Sequence, residues 1–194
     1  MAATESTMLP LGTPAPDFSL PDTNPPGRSV SLKDYADRDA LVVMFLCNHC
    51  PFVKHIQREL ASLARDYLPR GVGVVAISSN DATTHPDDAP DRMTITANEA
   101  GWPFPYLYDE SQETAKAYRA ACTPDFFVFD RDRRLVYRGQ LDGSRPTNGL
   151  PVTGADLRAA IDSALAGRPA PEPQLPSVGC NIKWKTGNEP DYFR

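Results

Sequence analysis

Leu41-Val42-Val43-Met44-Phe45-Leu46-Cys47-Asn48-His49-Cys50-Pro51-Phe52-Val53-Lys54-His55 is the stretch around which the chain is organised. It opens with six apolar residues, long enough for a buried strand. Two cysteines spaced C-x-x-C follow, and the chain then runs into a helix. Phe52, Ile56, Leu60, Leu63 and Tyr67 recur at three- and four-residue spacing and predict one apolar helix face. Pro51 is tolerated only in the first turn, so the turn should begin near Cys47. Both thiols are therefore expected between the end of a strand and the positive end of a helix. That field favours thiolate over thiol, and the thiolate is the nucleophile. Strand, C-x-x-C, helix within an α/β pattern is a redox arrangement.

The rest of the composition narrows the function classes. A chain of 194 residues with 41% apolar content, two Trp, seven Tyr and eight Phe can build a sizeable core. A formal charge of -5 argues against nucleic acid as a partner. The densest basic cluster, Arg131, Arg133 and Arg134, is interleaved with Asp130 and Asp132 and reads as a solvated turn. No apolar run approaches the ~18 residues of a membrane span. Met1 to Pro10 lacks the basic and apolar parts of a signal peptide, so a cytoplasmic location is expected. Four cysteines in that setting suggest catalysis or metal binding rather than a structural disulfide framework.

Read in order, residues 1–13 suggest a loose arm, 14–167 one α/β domain, and 168–194 a tail. Phe18–Leu20 and Ser29–Leu32 flank Asn24-Pro25-Pro26-Gly27, a strong turn signal, and predict a hairpin. Val72–Ile77 is a second continuous apolar run, as for a parallel strand buried on both faces. Ser78–Pro86 reads as polar loop and Asp91–Ala100 as a helix. Tyr106–Tyr108 is a short strand and Ser111–Tyr118 a short helix. Phe126–Phe129 and Leu135–Arg138 predict a β-hairpin. Thr153 with Asp156 resembles a capping box opening a helix on Leu157, Ile161 and Leu165. The tail begins proline-rich and extended, but Ile182, Trp184, Tyr192 and Phe193 need burial, so it is expected to wrap back on the domain.

The C-x-x-C stretch also resembles the active site of the thioredoxin-like superfamily, and the wider chain resembles redoxins related to the alkyl hydroperoxide reductase/thiol-specific antioxidant family. The resemblance includes Ala15-Pro16-Asp17-Phe18-Ser19-Leu20, Cys47-Asn48-His49-Cys50-Pro51-Phe52-Val53, Asp109-Glu110-Ser111-Gln112, Cys122-Thr123-Pro124-Asp125-Phe126-Phe127 and Gly179-Cys180-Asn181-Ile182-Lys183-Trp184. It implies a three-layer α/β/α thioredoxin-like fold with a central mixed sheet, an N-terminal β-hairpin extension and an extended C-terminal tail. It also implies a cis bond at Thr123-Pro124, beside the cysteines. Two departures stand out. Leu46 replaces the tryptophan that precedes the first cysteine in thioredoxins, and no acid lies between Ala40 and Cys47. The peroxiredoxin pattern P-x-x-x-T-x-x-C fails as well, with Val43 and Cys47 at its proline and threonine places.

Cys47, at the strand–helix junction, is the candidate nucleophile, and Cys50 the resolving thiol. Asn48, His49, Thr123 and Pro124 are candidate modulators. A protonated His49 would stabilise a thiolate; otherwise it is a solvent-facing helix-start residue. His55 and His85 read as surface residues. Cys122 and Cys180 are either a second redox pair, if the tail folds over the Pro124 loop, or two separate buried thiols. Three functions compete: a thiol–disulfide oxidoreductase, a thiol-dependent peroxidase, and a zinc-binding or redox-sensing module without turnover. Under the first, no cofactor or resident metal is called for. The partners are then protein or small-molecule disulfides and thiols, with a separate reductant.

Overall fold

The computed structural model describes residues 3–193. In chain order its elements are β1 (Ala3–Glu5), β2 (Ser19–Thr23), β3 (Pro26–Ser31), β4 (Ala40–Phe45), α1 (Pro51–Tyr67), β5 (Val72–Ser78), α2 (Pro90–Ala100), β6 (Tyr106–Tyr108), α3 (Glu113–Ala117), β7 (Cys122–Thr123), β8 (Asp125–Phe129), β9 (Leu135–Gly139), α4 (Ala155–Leu165) and β10 (Val178–Asn181). The main sheet runs β3-β2-β6-β5-β4-β8-β9. It is mixed: β4 pairs in parallel with β5, and β5 with β6, whereas β8 is antiparallel to both β4 and β9. The hairpin β2–β3 joins its far edge.

Both apolar runs form central strands because side chains alternate across a sheet and both faces are covered. Val42, Met44, Val74 and Ala76 face a core that also holds Leu60 of α1, Met93 of α2 and Ile161 of α4. Leu41, Val43, Phe45, Val75 and Ile77 face the opposite core, with Tyr118, Phe127, Phe129 and Ile182. Burying each such large side chain contributes about 1.5–3 kcal/mol. The result is a three-layer α/β/α architecture around a mixed sheet.

Three expectations change. The N-terminal arm is not loose where it is described: β1 pairs with β10, and Pro14 bridges to Arg134. Helix α4 is not opened by a Thr153–Asp156 box. Asp142 Oδ2 instead accepts the Thr153 and Gly154 N–H groups, each at 2.7 Å, and Asp156 accepts from Gln140. Asp142 thus fixes the chain entering α4, and the Leu157 N–H of its first turn donates to the Leu141 carbonyl at 3.1 Å. In the tail, Ile182 is buried and Trp184 packs beside it against the second core, but Phe193 stays exposed.

The tail does return to the domain. β10 lies between β1 and β7 in a second, three-stranded sheet, with Cys180 opposite Thr123. Gly179 makes this approach possible: a Cβ there would lie 2.0 Å from the Thr123 carbonyl oxygen. Beyond β10, Asn80 Oδ1 accepts the Lys183 N–H at 2.8 Å, and Gln112 Nε2 donates to the Lys183 carbonyl at 2.9 Å. The small sheet and these side-chain bonds place the tail over the junction of β4 and α1.

Candidate active site

Strand β4 delivers Cys47 and α1 begins at Pro51, so Cys50 rather than Cys47 is the N-cap residue. Pro51 lacks the N–H that would go unpaired in a first turn and fits there at no cost. The Thr123–Pro124 peptide bond, joining β7 to β8, is cis. Thr123 meets both cysteines: its hydroxyl is 3.1 Å from Cys47 Sγ and its carbonyl oxygen 3.2 Å from Cys50 Sγ. Both sulfurs are buried.

Cys50 has another neighbour. Cys180 Sγ lies 2.8 Å from Cys50 Sγ. Of the two alternatives for Cys122 and Cys180, direct pairing does not occur: the thiol of Cys122 points elsewhere, 3.6 Å from the Pro124 carbonyl oxygen and 3.9 Å from that of Ser177. The register explains the difference. Cys180 faces Thr123 and Asn181 faces Cys122, so the sulfur of Cys180 comes to the C-x-x-C.

The loop 48–49 is held from a segment that the sequence presents as polar loop running toward α2. Asp88 Oδ1 accepts the Asn48 N–H at 2.7 Å, and Asp88 Oδ2 accepts from His49 Nδ1 at 2.6 Å and from Asn80 Nδ2 at 2.7 Å. Tyr106 OH donates to Asn48 Oδ1 at 3.1 Å. His85, expected as an isolated surface residue, stacks on His49 with ring centroids 5.5 Å apart. His55 is only half-buried, but its Nε2 is enclosed without a partner.

These contacts set the charges. Hydrogen bonds from Cys180 and then Cys47 pull the Cys50 thiol well below its ordinary pKa, against the opposing effect of burial. The same bond to Cys50, then burial and the Asp88 charge, push Cys47 up. Cys180 is raised by its bond to Cys50 and by burial. Within the reduced cluster these shifts favour negative charge on Cys50 over its two flanking sulfurs. His49 is raised by its bond to Asp88, although burial opposes this. Burial pushes the Asp88 carboxyl up, but the bonds from His49, Asn80 and the Asn48 N–H outweigh it and hold it below the usual range. The His49 cation is paired with Asp88, and the Cys50 charge raises it further by a smaller amount.

Two acids were missed from the sequence. Asp88 sits in no recognisable spacing relative to Cys47. Asp125 left a signal, a charged residue opening the apolar strand Asp125-Phe126-Phe127-Val128-Phe129. It is the β-partner of Phe45 and fully buried, and burial pushes its carboxyl well above the usual carboxylate range. Its charge bears on the buried Cys122 thiol. Cys47, His49 and Asp88 bring ligand atoms within 4.8 Å of one another. His49 Nδ1 and Asp88 Oδ2 are bonded to each other at 2.6 Å. Among the described residues, no helix is long and apolar enough to cross a membrane.

Comparison with known proteins places this geometry. Residues 10–157 match the family model described as Redoxin. A solved structure of an uncharacterized conserved protein from Geobacillus kaustophilus is 61% identical and superposes with a TM-score of 0.93, covering 95% of this chain and 97% of that one. A Mycobacterium tuberculosis protein whose name places it among the peroxiredoxins is 30% identical over 145 residues, 69% of this chain and 86% of its own length. The thiol-disulfide oxidoreductase ResA of Geobacillus thermodenitrificans is 25% identical over 134 residues, 68% of this chain and 70% of its own. The chain belongs to the redoxin family, a group of thiol-based oxidoreductases, and has a thioredoxin-like fold.

Proposed function

We propose that this redoxin is a thiol–disulfide oxidoreductase that cycles Cys47 and Cys50 between dithiol and disulfide. The observation that carries the reading is the shared environment of the two sulfurs at one strand–helix junction, with Thr123 touching both. Cys47 gives up its proton to water and attacks a substrate disulfide. One substrate sulfur leaves as thiolate and the other is held on Cys47. Cys50, the sulfur on which the shifts favour negative charge, then attacks Cys47 Sγ; the Cys47–Cys50 disulfide forms as the bond to the substrate breaks, and both substrate sulfurs take up protons from water. Two electrons pass to the substrate, and an external dithiol restores the pair.

The test is a trap. Cys50→Ser incubated with oxidised glutathione should accumulate a mixed disulfide on Cys47, read by peptide mass. An adduct confined to the other cysteines would overturn the order of attack.

A second reading, a thiol-dependent peroxidase, draws on the charge at Cys50 and on the name of the mycobacterial relative. Val43 and Cys47, at the places of the peroxiredoxin proline and threonine, speak against it. Peroxide consumption that depends on Cys50 and survives Cys47→Ser would favour it.

A further inference from the structure

We propose that Cys180 is a third redox-active thiol, which takes the disulfide over from Cys47 and stores it as a Cys50–Cys180 bond. The inference rests on the dithiol cycle above and extends it to the tail. Its basis is positional. Cys180 Sγ is 2.8 Å from Cys50 Sγ, and a covalent S–S bond is about 2.05 Å. The remaining approach is under about 1 Å, within side-chain adjustment. The backbone that carries Cys180 is fixed by antiparallel pairing with β7 on one side and β1 on the other, and Gly179 removes the Cβ that would hold β10 away from Thr123. Cys180 is itself buried, so the neighbouring thiol competes with few other reactants for Cys50.

The chemistry balances without an outside reagent. In the oxidised protein the Cys180 thiol gives up its proton and attacks Cys50 Sγ. The Cys50–Cys180 bond forms as Cys47–Cys50 breaks, and Cys47 leaves with the electron pair and is protonated. No electrons are gained or lost. Cys47 becomes free to meet another substrate, while the tail is tied covalently to the start of α1, over the site. The competing explanation of the contact is two buried thiols packed as small apolar groups.

Cys47→Ser separates these. It retains three thiols, at Cys50, Cys122 and Cys180. Oxidised glutathione should first form a mixed disulfide on Cys50, and Cys180 should then displace glutathione. The expected end point is loss of two of those three thiols to alkylation, with one cross-linked peptide joining Cys50 to Cys180. A variant that ends with glutathione on Cys50 and an alkylatable Cys180, or with a Cys122–Cys180 cross-link, overturns the proposal. Neither result touches the dithiol cycle, which the Cys50→Ser trap reads separately. Should Cys47→Ser fail to fold, wild type tests whether the tail is tied to the C-x-x-C at all. Cys47 and Cys50 share the tryptic peptide ending at Lys54, and Cys180 lies on the one ending at Lys183. Equilibrated oxidised wild type must contain the cross-link between them, and its absence overturns the proposal.

Discussion

Cys47 and Cys50 have only two residues between them but occupy different surroundings. The Cys47 side is ionic and held by side chains: Asp88 gathers the Asn48 N–H, His49 and Asn80, and its charge raises the Cys47 thiol. The Cys50 side is a sulfur cluster beside a backbone carbonyl, closed by a strand from the far end of the chain. The first side is fixed by bonds to one buried carboxylate. The second depends on a pairing that can be undone by moving the tail. Asn80 joins them, donating to Asp88 and accepting from Lys183. The asymmetry means that the two thiols can be tuned separately, one by charge and one by cover.

The cover should show the largest effect. Gly179→Val puts side-chain atoms against the Thr123 carbonyl, where even a Cβ would sit 2.0 Å away. Overpacking typically costs about 1–3 kcal/mol, which here falls on the seating of β10. Each ~1.4 kcal/mol lost from closure raises the open population about tenfold. Alkylation of Cys50 and Cys180 in the reduced protein should accelerate by about that factor or more. Unchanged rates would mean that β10 does not guard the site.

Asp88→Asn acts on the other side. It removes the charge from a buried carboxylate that holds the loop, at a cost of about 1–3 kcal/mol, measured by denaturant unfolding. It should also lower the Cys47 pKa, stabilise the reduced pair and raise the redox potential, by about 30 mV per tenfold change in the exchange equilibrium. A fall in potential would reverse the sign assigned to Asp88.

The His49–Asp88 pair predicts a smaller, pH-dependent effect. His49 has a raised pKa in the folded state. Its contribution is therefore complete below the unfolded value of about 6.5 and is lost as pH rises through the folded value. Asp88 has a lowered one, so its share is present above about 3.8 and lost in acid. The stability difference between wild type and His49→Ala should be greatest between about pH 5 and 6.5, on the order of 1–3 kcal/mol, and should shrink in alkaline buffer. A difference that grows with pH would show that His49 acts without its charge.

Much of this asymmetry was hidden in the sequence, while the frame was not. Leu41–Leu46 and Val72–Ile77 announce central strands because continuous apolar runs leave few other places for them, and Pro51 marks a helix start. The C-x-x-C, lying between these signals, was placed to within a residue or two. Asp88 was not, because its role depends on a loop returning across 40 positions to Asn48, and no periodicity records such a contact. Nor was the partner of Cys180. The tail's apolar residues implied that it folds back, but whether its sulfur meets Cys122 or Cys50 depends on a one-residue register, and that register exchanges the residues facing each position.

The claim on which everything else depends is that Cys47 opens the cycle. Its most direct test is the reduction of insulin disulfides, with dithiothreitol as the electron source, by wild type and by Cys47→Ser whose fold is verified by circular dichroism. The account predicts that the variant falls to the rate of dithiothreitol alone, while wild type turns over. A folded Cys47→Ser protein that keeps wild-type turnover would contradict it.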